Sequence, residues 1–360
     1  MVKSCDVGSL PPKMSHRELS EMFKVYEQGD SQLSNSLEEL IVNSFLDKLL
    51  AGIDIPNYPQ FRDMNEMFLQ MINGIEKIRE GYVEIESLSL KAGKEKIPEV
   101  RIIEKHSKRI FDILGESFRL KICITGPYTL STLFAYKNEK TFLNLGKVLA
   151  RIVKENLFSN KFGKVFMVTL DEPIFGVMSD PMVDYGSVGR EALLKAWETI
   201  LKEAAVRNIM TGMHLHSTAD ELFWYVESLK VVESHVDDPL YQRKANRRKL
   251  EEYDKFLKAS ICKTDYDQLI REKLAKNSQS KLELDERTAE TWKGIRKGMI
   301  NSKTFLEDKN LMKKRLEKNL ETFGAERVLY AGPECGLGGF PNYETAIEYL
   351  RRVAEAVKEF

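Results

Sequence analysis

The chain lacks the patterns that mark membrane, secreted and disulfide-rich proteins. Among its 360 residues there are only four cysteines, at positions 5, 123, 262 and 335, and their wide spacing argues against a disulfide framework. No apolar run approaches the roughly 18 residues of a transmembrane helix. The opening MVKSCDVGSLPPK has no apolar core of the kind found in secretory signals. We therefore expect a cytoplasmic protein that does not enter a membrane.

The sequence also lacks an excess of charge of either sign. Fifty-five lysines and arginines balance 55 aspartates and glutamates, so no overall field favours a nucleic acid or an anionic membrane as partner. No glycine-rich stretch has the spacing of a phosphate-binding G-x-G-x-x-G or P-loop motif. With 42% hydrophobic and 31% charged residues, the composition is that of an ordinary globular protein. The length suits either two average domains or one large α/β barrel.

Short apolar runs rich in β-branched residues alternate along the chain with segments of helical periodicity. We predict eight strands, at 5–10, 51–57, 120–126, 164–171, 209–216, 230–236, 256–262 and 327–332. Amphipathic helices are predicted at 37–50, 141–158, 190–206 and 219–229. The alternation predicts a (β/α)8 TIM barrel that forms a single domain over residues 1–360. Insertions are predicted near 78–118, with a hairpin or other excursion, and near 268–324, which is charged and helical. A doubly wound open sheet is the alternative.

Histidine is scarce, and its placement is uneven. The chain has five histidines, and two of them, His214 and His216, flank Leu215 in a predicted strand. Alternate residues of a strand share a face, so both imidazoles point the same way. At the carboxyl end of a barrel strand that face looks into the mouth, where two imidazoles can clamp a zinc ion. The alternative is a pair of hydrogen-bonded histidines with no metal.

The next predicted strand and the last one add further candidate ligands. In KVVESHVDDP, the residues Glu233, His235 and Asp237 share one face by the same period of two. They could supply a third zinc ligand, although surface charge in a loop is the alternative reading. Cys335 lies in the Gly/Pro-rich AGPECGLGGFPN directly after the last strand, where barrel enzymes keep their chemistry and a thiolate could bind the metal.

Other polar residues follow predicted strands and are candidates for binding a substrate. Asp171 and Glu172 end the strand VTLDEP, and strand-end carboxylates suit a substrate ammonium, although a surface turn is the alternative. Gly8 and Ser9 follow the first strand in CDVGSLPP, where an amide and a hydroxyl could meet a carboxylate.

Taken in order, DVGSLPP, GIDIPNYPQFRDM, ITGPYT, LDEP, HLH and GPECGL resemble the catalytic domain of cobalamin-independent methionine synthase. The resemblance covers nearly the whole chain except 78–118 and 268–324, and it fits the shorter, single-barrel relatives that lack the N-terminal half of the family. It implies a barrel that binds zinc at its mouth and transfers a methyl group to a thiol. Homocysteine is the first expected acceptor, which would place the protein in methionine biosynthesis.

The resemblance also implies a set of zinc ligands. His214 and Cys335 match the family's ligands directly, whereas His216 stands where the family has cysteine. The family's glutamate position falls in VVESHVDD with its register open. His235 is the first choice, Asp237 the second and Glu233 the third.

The residues of the family's homocysteine pocket are matched less completely than its zinc ligands. The family's serine and aspartate correspond to Ser9 and Asp171, and Asp171 is the expected catalytic residue, with Glu172 beside it. Gln60 stands where the family has a second acidic residue. The seventh predicted strand ends CKTDYD, without the histidine of methionine synthases.

We therefore expect a zinc-dependent methyltransferase whose methyl donor is a folate, a corrinoid or a corrinoid protein, delivered by a partner if the chain acts without an N-terminal half. A barrel that acts on another thiol such as coenzyme M, or that catalyses a metal-assisted hydrolysis or decarboxylation, is the first alternative. A non-catalytic barrel that holds a metal and binds a ligand or a partner is the second.

Overall fold

The computed structural model describes residues 1–28, 31–275, 278 and 280–360, without the side chains of residues 28 and 31–33. Nine strands occur in these ranges: β1 (Lys3–Ser4), β2 (Ile72–Ile78), β3 (Gly81–Leu90), β4 (Phe118–Thr125), β5 (Gly163–Glu172), β6 (Met210–Leu215), β7 (Val231–Glu233), β8 (Phe256–Cys262) and β9 (Val328–Pro333). Three short 3-10 helices lie at Pro181–Val183, Leu222–Tyr225 and Ser302–Phe305.

Fourteen α-helices occur over the same ranges. They are α1 (His16–Gln28), α2 (Ser31–Leu50), α3 (Glu66–Leu69), α4 (Pro98–Lys105), α5 (Ser107–Leu114), α6 (Pro127–Ser131), α7 (Glu139–Asn156), α8 (Val188–Ala205), α9 (Pro239–Gln242), α10 (Ala245–Glu252), α11 (Tyr266–Ala275), α12 (Lys281–Arg296), α13 (Lys309–Phe323) and α14 (Tyr343–Val357). None of the helices in the described part of the chain has the length and apolar character needed to cross a membrane.

Seven of the strands form one parallel sheet, in the order β1-β9-β8-β7-β6-β5-β4. Strands that follow one another in the chain are mostly neighbours in this sheet, and helical segments connect them, as parallel pairing requires. Curled, parallel and flanked by helices, the sheet belongs to the (β/α)8-barrel class. The predicted fold class is therefore confirmed.

Two compact units divide the chain. Unit 1 comprises residues 1–61, 260–318 and 330–360, and unit 2 comprises residues 62–259 and 319–329. In unit 2, the long helices α7 and α8 bury apolar faces that include Leu149, Ile152, Leu193 and Trp197. In unit 1, α2 and α14 do the same. The prediction of a single domain over 1–360 is not tested by this division and stays a prediction.

Six of the eight predicted strands occur close to their predicted positions, and two do not. The predicted strand 51–57 is reduced to a parallel bridge between Cys5 and Ile55, because Gly52, at φ +98°, ends α2 and Pro56 lacks the amide hydrogen of a ladder. The predicted strand 5–10 is replaced by the two-residue β1, followed by isolated bridges at Cys5 and Ser9. These bridges keep the segment 53–60 beside β1, where a second strand would lie.

The two predicted insertions contain the expected kinds of structure. Strands β2 and β3 form an antiparallel hairpin over 72–90, which begins before the predicted range 78–118, and α4 and α5 follow it. The region 268–324 is helical in its described residues, which form α11, α12 and α13. Their status as insertions into a single barrel domain stays a prediction.

Candidate functional site

A row of polar residues crosses the carboxyl ends of four neighbouring strands in unit 2. Thr125 of β4 pairs in register with Asp171 of β5, Asp171 with His214 of β6, and His214 with Glu233 of β7. Because these strands are parallel, their carboxyl ends meet at one edge of the sheet, where barrel enzymes place catalytic groups. The sequence therefore brings carboxylates and imidazoles together at that edge.

Three histidines cluster at the ends of β6 and β7. His214 and His216 lie two residues apart on β6 and its end, and His235 follows β7. The ring centroids of His216 and His235 are 4.2 Å apart, and that of His214 is 5.3 and 6.2 Å from them. One ligand atom from each histidine lies within 4.8 Å of the others, which is close enough for all three to hold one metal ion.

The environment of His214 fits a metal ligand. Its side chain is 1% exposed, and neither ring nitrogen has a hydrogen-bond partner among the described residues. Burial lowers the pKa of His214 well below its usual value, and burial followed by the charge of His235 lowers the pKa of His216 to about 4. Both imidazoles are therefore neutral near pH 7, the form that binds zinc.

Asp238 ties together the loops that carry the second and third histidines. Its carboxylate accepts hydrogen bonds from the backbone amide of Thr218, at 2.9 Å, and from the Thr218 hydroxyl. It also caps α9 by accepting from the Leu240 amide at 2.8 Å, and its own amide donates to the carbonyl of His235 at 3.0 Å. Its neighbour Asp237 is exposed.

Glu233 does not lie open to a metal, because two buried lysines hold its carboxylate. Lys121 Nζ lies 2.9 Å from Oε1, and Lys258 forms an ion pair with Oε2. Burial alone would raise the pKa of Glu233, but the charges of Lys121 and Lys258 lower it well below its usual range. Of the three residues that sequence reasoning left open, His235 therefore lies in the histidine cluster and Glu233 in an ion-pair cluster.

Asp171 has one engaged and one available carboxylate oxygen. Cys123 Sγ donates to Oδ2, whereas the buried Oδ1 has no hydrogen-bond partner among the described residues. Burial raises the pKa of Asp171 to about 7. Burial, then the charge of Asp171, raises the pKa of Cys123 well above its usual value, so the cysteine stays a protonated donor.

Both carboxylate oxygens of Glu172, the neighbour of Asp171, accept hydrogen bonds from other residues of the chain. Its carboxylate accepts hydrogen bonds from the amides of Tyr128 and Thr129, the Thr129 hydroxyl and the indole of Trp197, at 2.7–2.9 Å. At Gly126, an added Cβ would lie 2.2 Å from the Glu172 carboxyl carbon, so only glycine permits this approach. The geometry favours a structural role for Glu172 over the predicted contact with substrate.

Unit 1 brings Ser9 and Gln60 together. They form a parallel bridge, with the Leu10 amide donating to the Gln60 carbonyl at 3.1 Å. Ser9 Oγ also accepts from the Gly338 amide at 3.2 Å, and a Cβ on Gly336 would lie only 1.9 Å from that oxygen. The loop of GPECGL thus packs directly on Ser9.

Cys335 is half-buried in this loop of unit 1. The preceding residue, Glu334, fixes the loop because its amide donates to the Cys262 carbonyl and its carboxylate accepts from the Thr264 amide, both at 3.0 Å. The loop follows the carboxyl end of β9, as the sequence predicts. The ligand role of Cys335 stays a prediction.

Sequence reasoning missed three buried lysines near the predicted residues. Lys121 and Lys258 hold Glu233, and Lys48 of unit 1 donates to Asp6 Oδ2 at 2.7 Å and to the carbonyl of Gly8 at 2.9 Å. Each of the three is at most 1% exposed. A lone lysine inside an apolar run, as in LKICIT and FLKASIC, was the available signal, since such a lysine is buried only with a partner.

Comparison with known proteins gives matches among solved structures alone, since no protein-family model and no curated protein matches the sequence. A B12-independent methionine synthase from Shewanella sp. W3-18-1, in complex with selenomethionine, is 17% identical, has a TM-score of 0.62, and is matched over 100% of this chain and 98% of that chain. A candidate vitamin-B12-independent methionine synthase from Listeria monocytogenes is 13% identical, with a TM-score of 0.60 and coverage of 100% and 98%. A methyltransferase from Methanosarcina mazei is 12% identical, with a TM-score of 0.52 and coverage of 100% and 94%. At these identities the likeness shows the fold, and the chain therefore shares the fold of B12-independent methionine synthases, as its motifs predict.

Proposed function

We propose that the protein is a zinc-dependent methyltransferase that transfers a methyl group to a thiol, with homocysteine as the first acceptor and methionine as its product. The observation that carries the proposal is the cluster of His214, His216 and His235. It lies at the strand ends of a fold shared with methionine synthases, and the buried nitrogens of His214 have no hydrogen-bond partner among the described residues.

In this proposal His214, His216 and His235 hold the zinc ion, and Cys335 is proposed as its fourth ligand because GPECGL resembles the family's motif. Cys335 follows β9 of the same parallel sheet, and three imidazoles with one thiolate are a ligand set that zinc accepts. Bound zinc lowers the pKa of a coordinated thiol, which then stays a nucleophilic thiolate near neutral pH. The donor set of this chain therefore suits thiol chemistry.

The remaining residues are proposed to recognise the rest of the substrate. Asp171 Oδ1 is an acceptor without a hydrogen-bond partner in the described part of the chain, which suits the ammonium group of an amino acid. Cys123 donates to Oδ2 and so fixes the direction in which Oδ1 points. Ser9 is proposed to hold the substrate carboxylate, and Gln60 lies beside it.

The transfer forms a sulfur–carbon bond and breaks the bond between the methyl group and its carrier, which keeps the electron pair. The thiol proton passes to solvent water before the sulfur attacks. We propose a folate, a corrinoid or a corrinoid protein as the carrier. This proposal rests on the same sequence resemblance that implies homocysteine as the acceptor. A methyl-transfer assay with each carrier separates the three.

A thiol without an ammonium group, such as coenzyme M, is the second candidate acceptor. Gln60 contributes no negative charge to its pocket, and the charges of Lys121 and Lys258 partly offset that of Asp171. Both features weaken the attraction for an ammonium group. The two acceptors therefore differ in what they need from Asp171.

The test is zinc-edge X-ray absorption of the zinc-loaded protein with and without thiol. Homocysteine should add a Zn–S contact at about 2.3 Å. Asp171→Asn should raise the homocysteine concentration at which this change is half complete, without altering the zinc spectrum of the thiol-free protein. A new contact with 2-mercaptoethanesulfonate alone would make coenzyme M the acceptor. No new contact with either thiol would contradict the proposed thiol chemistry.

A further inference from the structure

Three charged side chains form a buried cluster inside unit 2. Lys121 reaches Glu233 from β4 and Lys258 reaches it from β8, and all three side chains are 1–3% exposed. Burying charges is unfavourable unless they are paired, so a cluster of two lysines and one glutamate needs precise geometry. We call it the Lys–Glu–Lys cluster. The proposed transfer chemistry gives it no part.

The cluster lies directly beside one of the candidate metal ligands. His214 and Glu233 are paired in register on β6 and β7, and His214 Nδ1 lies 3.9 Å from Glu233 Oε1. That distance is too long for a hydrogen bond, and Nδ1 has no other hydrogen-bond partner among the described residues. The acceptor is a carboxylate held in place from both sides.

We infer that Glu233 is a positioning residue. Its carboxylate accepts a hydrogen bond from the Nδ1–H group of His214, which leaves Nε2 of His214 as the atom that binds the metal. This inference rests on the proposed metal site. A histidine ligand commonly donates its second ring N–H to a carboxylate, which fixes both the tautomer and the orientation of the ring. Here that carboxylate is a neighbour in the sheet.

The ion pairs with the two lysines are the reason to place Glu233 behind a metal ligand and not among the ligands themselves. Lys121 occupies Oε1 and Lys258 occupies Oε2, so direct binding of a metal would have to break a buried ion pair. The histidine cluster supplies three ligand atoms without Glu233. His235, two residues further on, is the candidate ligand from this segment.

The first test is cobalt and zinc binding by the full-length Glu233→Gln variant. Cobalt affinity and zinc affinity should fall by about 10- to 100-fold, as expected for an outer partner of a ligand, while the positions of the cobalt absorption bands stay those of the wild type. Glu227→Gln, which changes an exposed carboxylate of unit 2, is the matched control and should leave both readouts unchanged.

Different results overturn the inference in different ways. Shifted cobalt bands in Glu233→Gln would make Glu233 a ligand, and an unchanged metal affinity with a lower melting temperature would make it merely structural. If Glu233→Gln does not fold, Glu233→Gln/Lys258→Met removes one charge of each sign and takes the same measurements. Wild-type protein that binds no metal would refute the proposed function itself.

A second measurement needs no variant. In zinc-loaded wild-type protein with 15N-labelled histidine, the ring of His214 should carry its proton on Nδ1 and its metal on Nε2. Nδ1 as the metal-bound nitrogen of His214 would overturn the inference, whatever the variants show.

Discussion

Replacing Lys48 by methionine should destabilise the protein by about 3–5 kcal/mol, the usual cost of breaking a buried ion pair from one side. The Lys48 side chain is 0% exposed and that of Asp6 is 4% exposed, with 2.7 Å between Nζ and Oδ2. Nζ also donates to the carbonyls of Gly8 and Asn57, at 2.9 and 3.1 Å. Methionine fills similar space but leaves the Asp6 charge and both carbonyls without this donor.

The assay is urea-induced unfolding followed by circular dichroism. Lys48→Met/Asp6→Asn should be more stable than Lys48→Met alone, because the second change removes the uncompensated charge. Lys13→Met serves as the control, since Lys13 pairs with Asp47 at 3.5 Å where both side chains are 37–40% exposed, and such pairs contribute about 0–1 kcal/mol. A loss below about 1 kcal/mol for Lys48→Met, or no rescue by Asp6→Asn, would refute the reasoning.

Two further changes test other parts of unit 2. Asp238→Ala should weaken zinc binding about tenfold or more, because Asp238 ties the loops of His216 and His235 together. Chelator competition measures the zinc affinity, and equal weakening by Glu227→Ala, a change at an exposed carboxylate, would contradict this role. Burial lowers the pKa of Lys255 from 10.5 to about 8, so the unfolded state binds more protons between these values. The stability of the wild type relative to Lys255→Met should therefore rise by about 3 kcal/mol from pH 8 to 10.5, and a flat or falling difference in urea unfolding would refute the assignment.

The fold class could be predicted from sequence because its signals are local. Apolar runs such as LKICITG become β4 and its end, and FLKASIC becomes β8 with the predicted bounds 256–262. The segment 51–57 could not be placed in the same way. Its apolar residues are buried, but a buried loop and a strand share that pattern, and only the partner across the sheet distinguishes them.

The histidine cluster could be predicted in part for a similar reason. A period of two puts His214 and His216 on one face, and parallel strand order brings His235 beside them. The sequence does not show whether a neighbouring carboxylate is already paired with other side chains. Glu233 has the same period as His235, and its occupation by Lys121 and Lys258 depends on side chains that come from strands far apart in the chain.

The central claim is that histidines from the ends of β6 and β7 hold a metal, and zinc stoichiometry of the purified full-length protein tests it most directly. The account predicts about one zinc per chain, a loss of binding in His214→Ala, and no loss in His106→Ala, which lies between α4 and α5, outside the cluster. A wild-type protein that binds no zinc, or a His214→Ala variant that binds it as tightly as the wild type, would contradict the account.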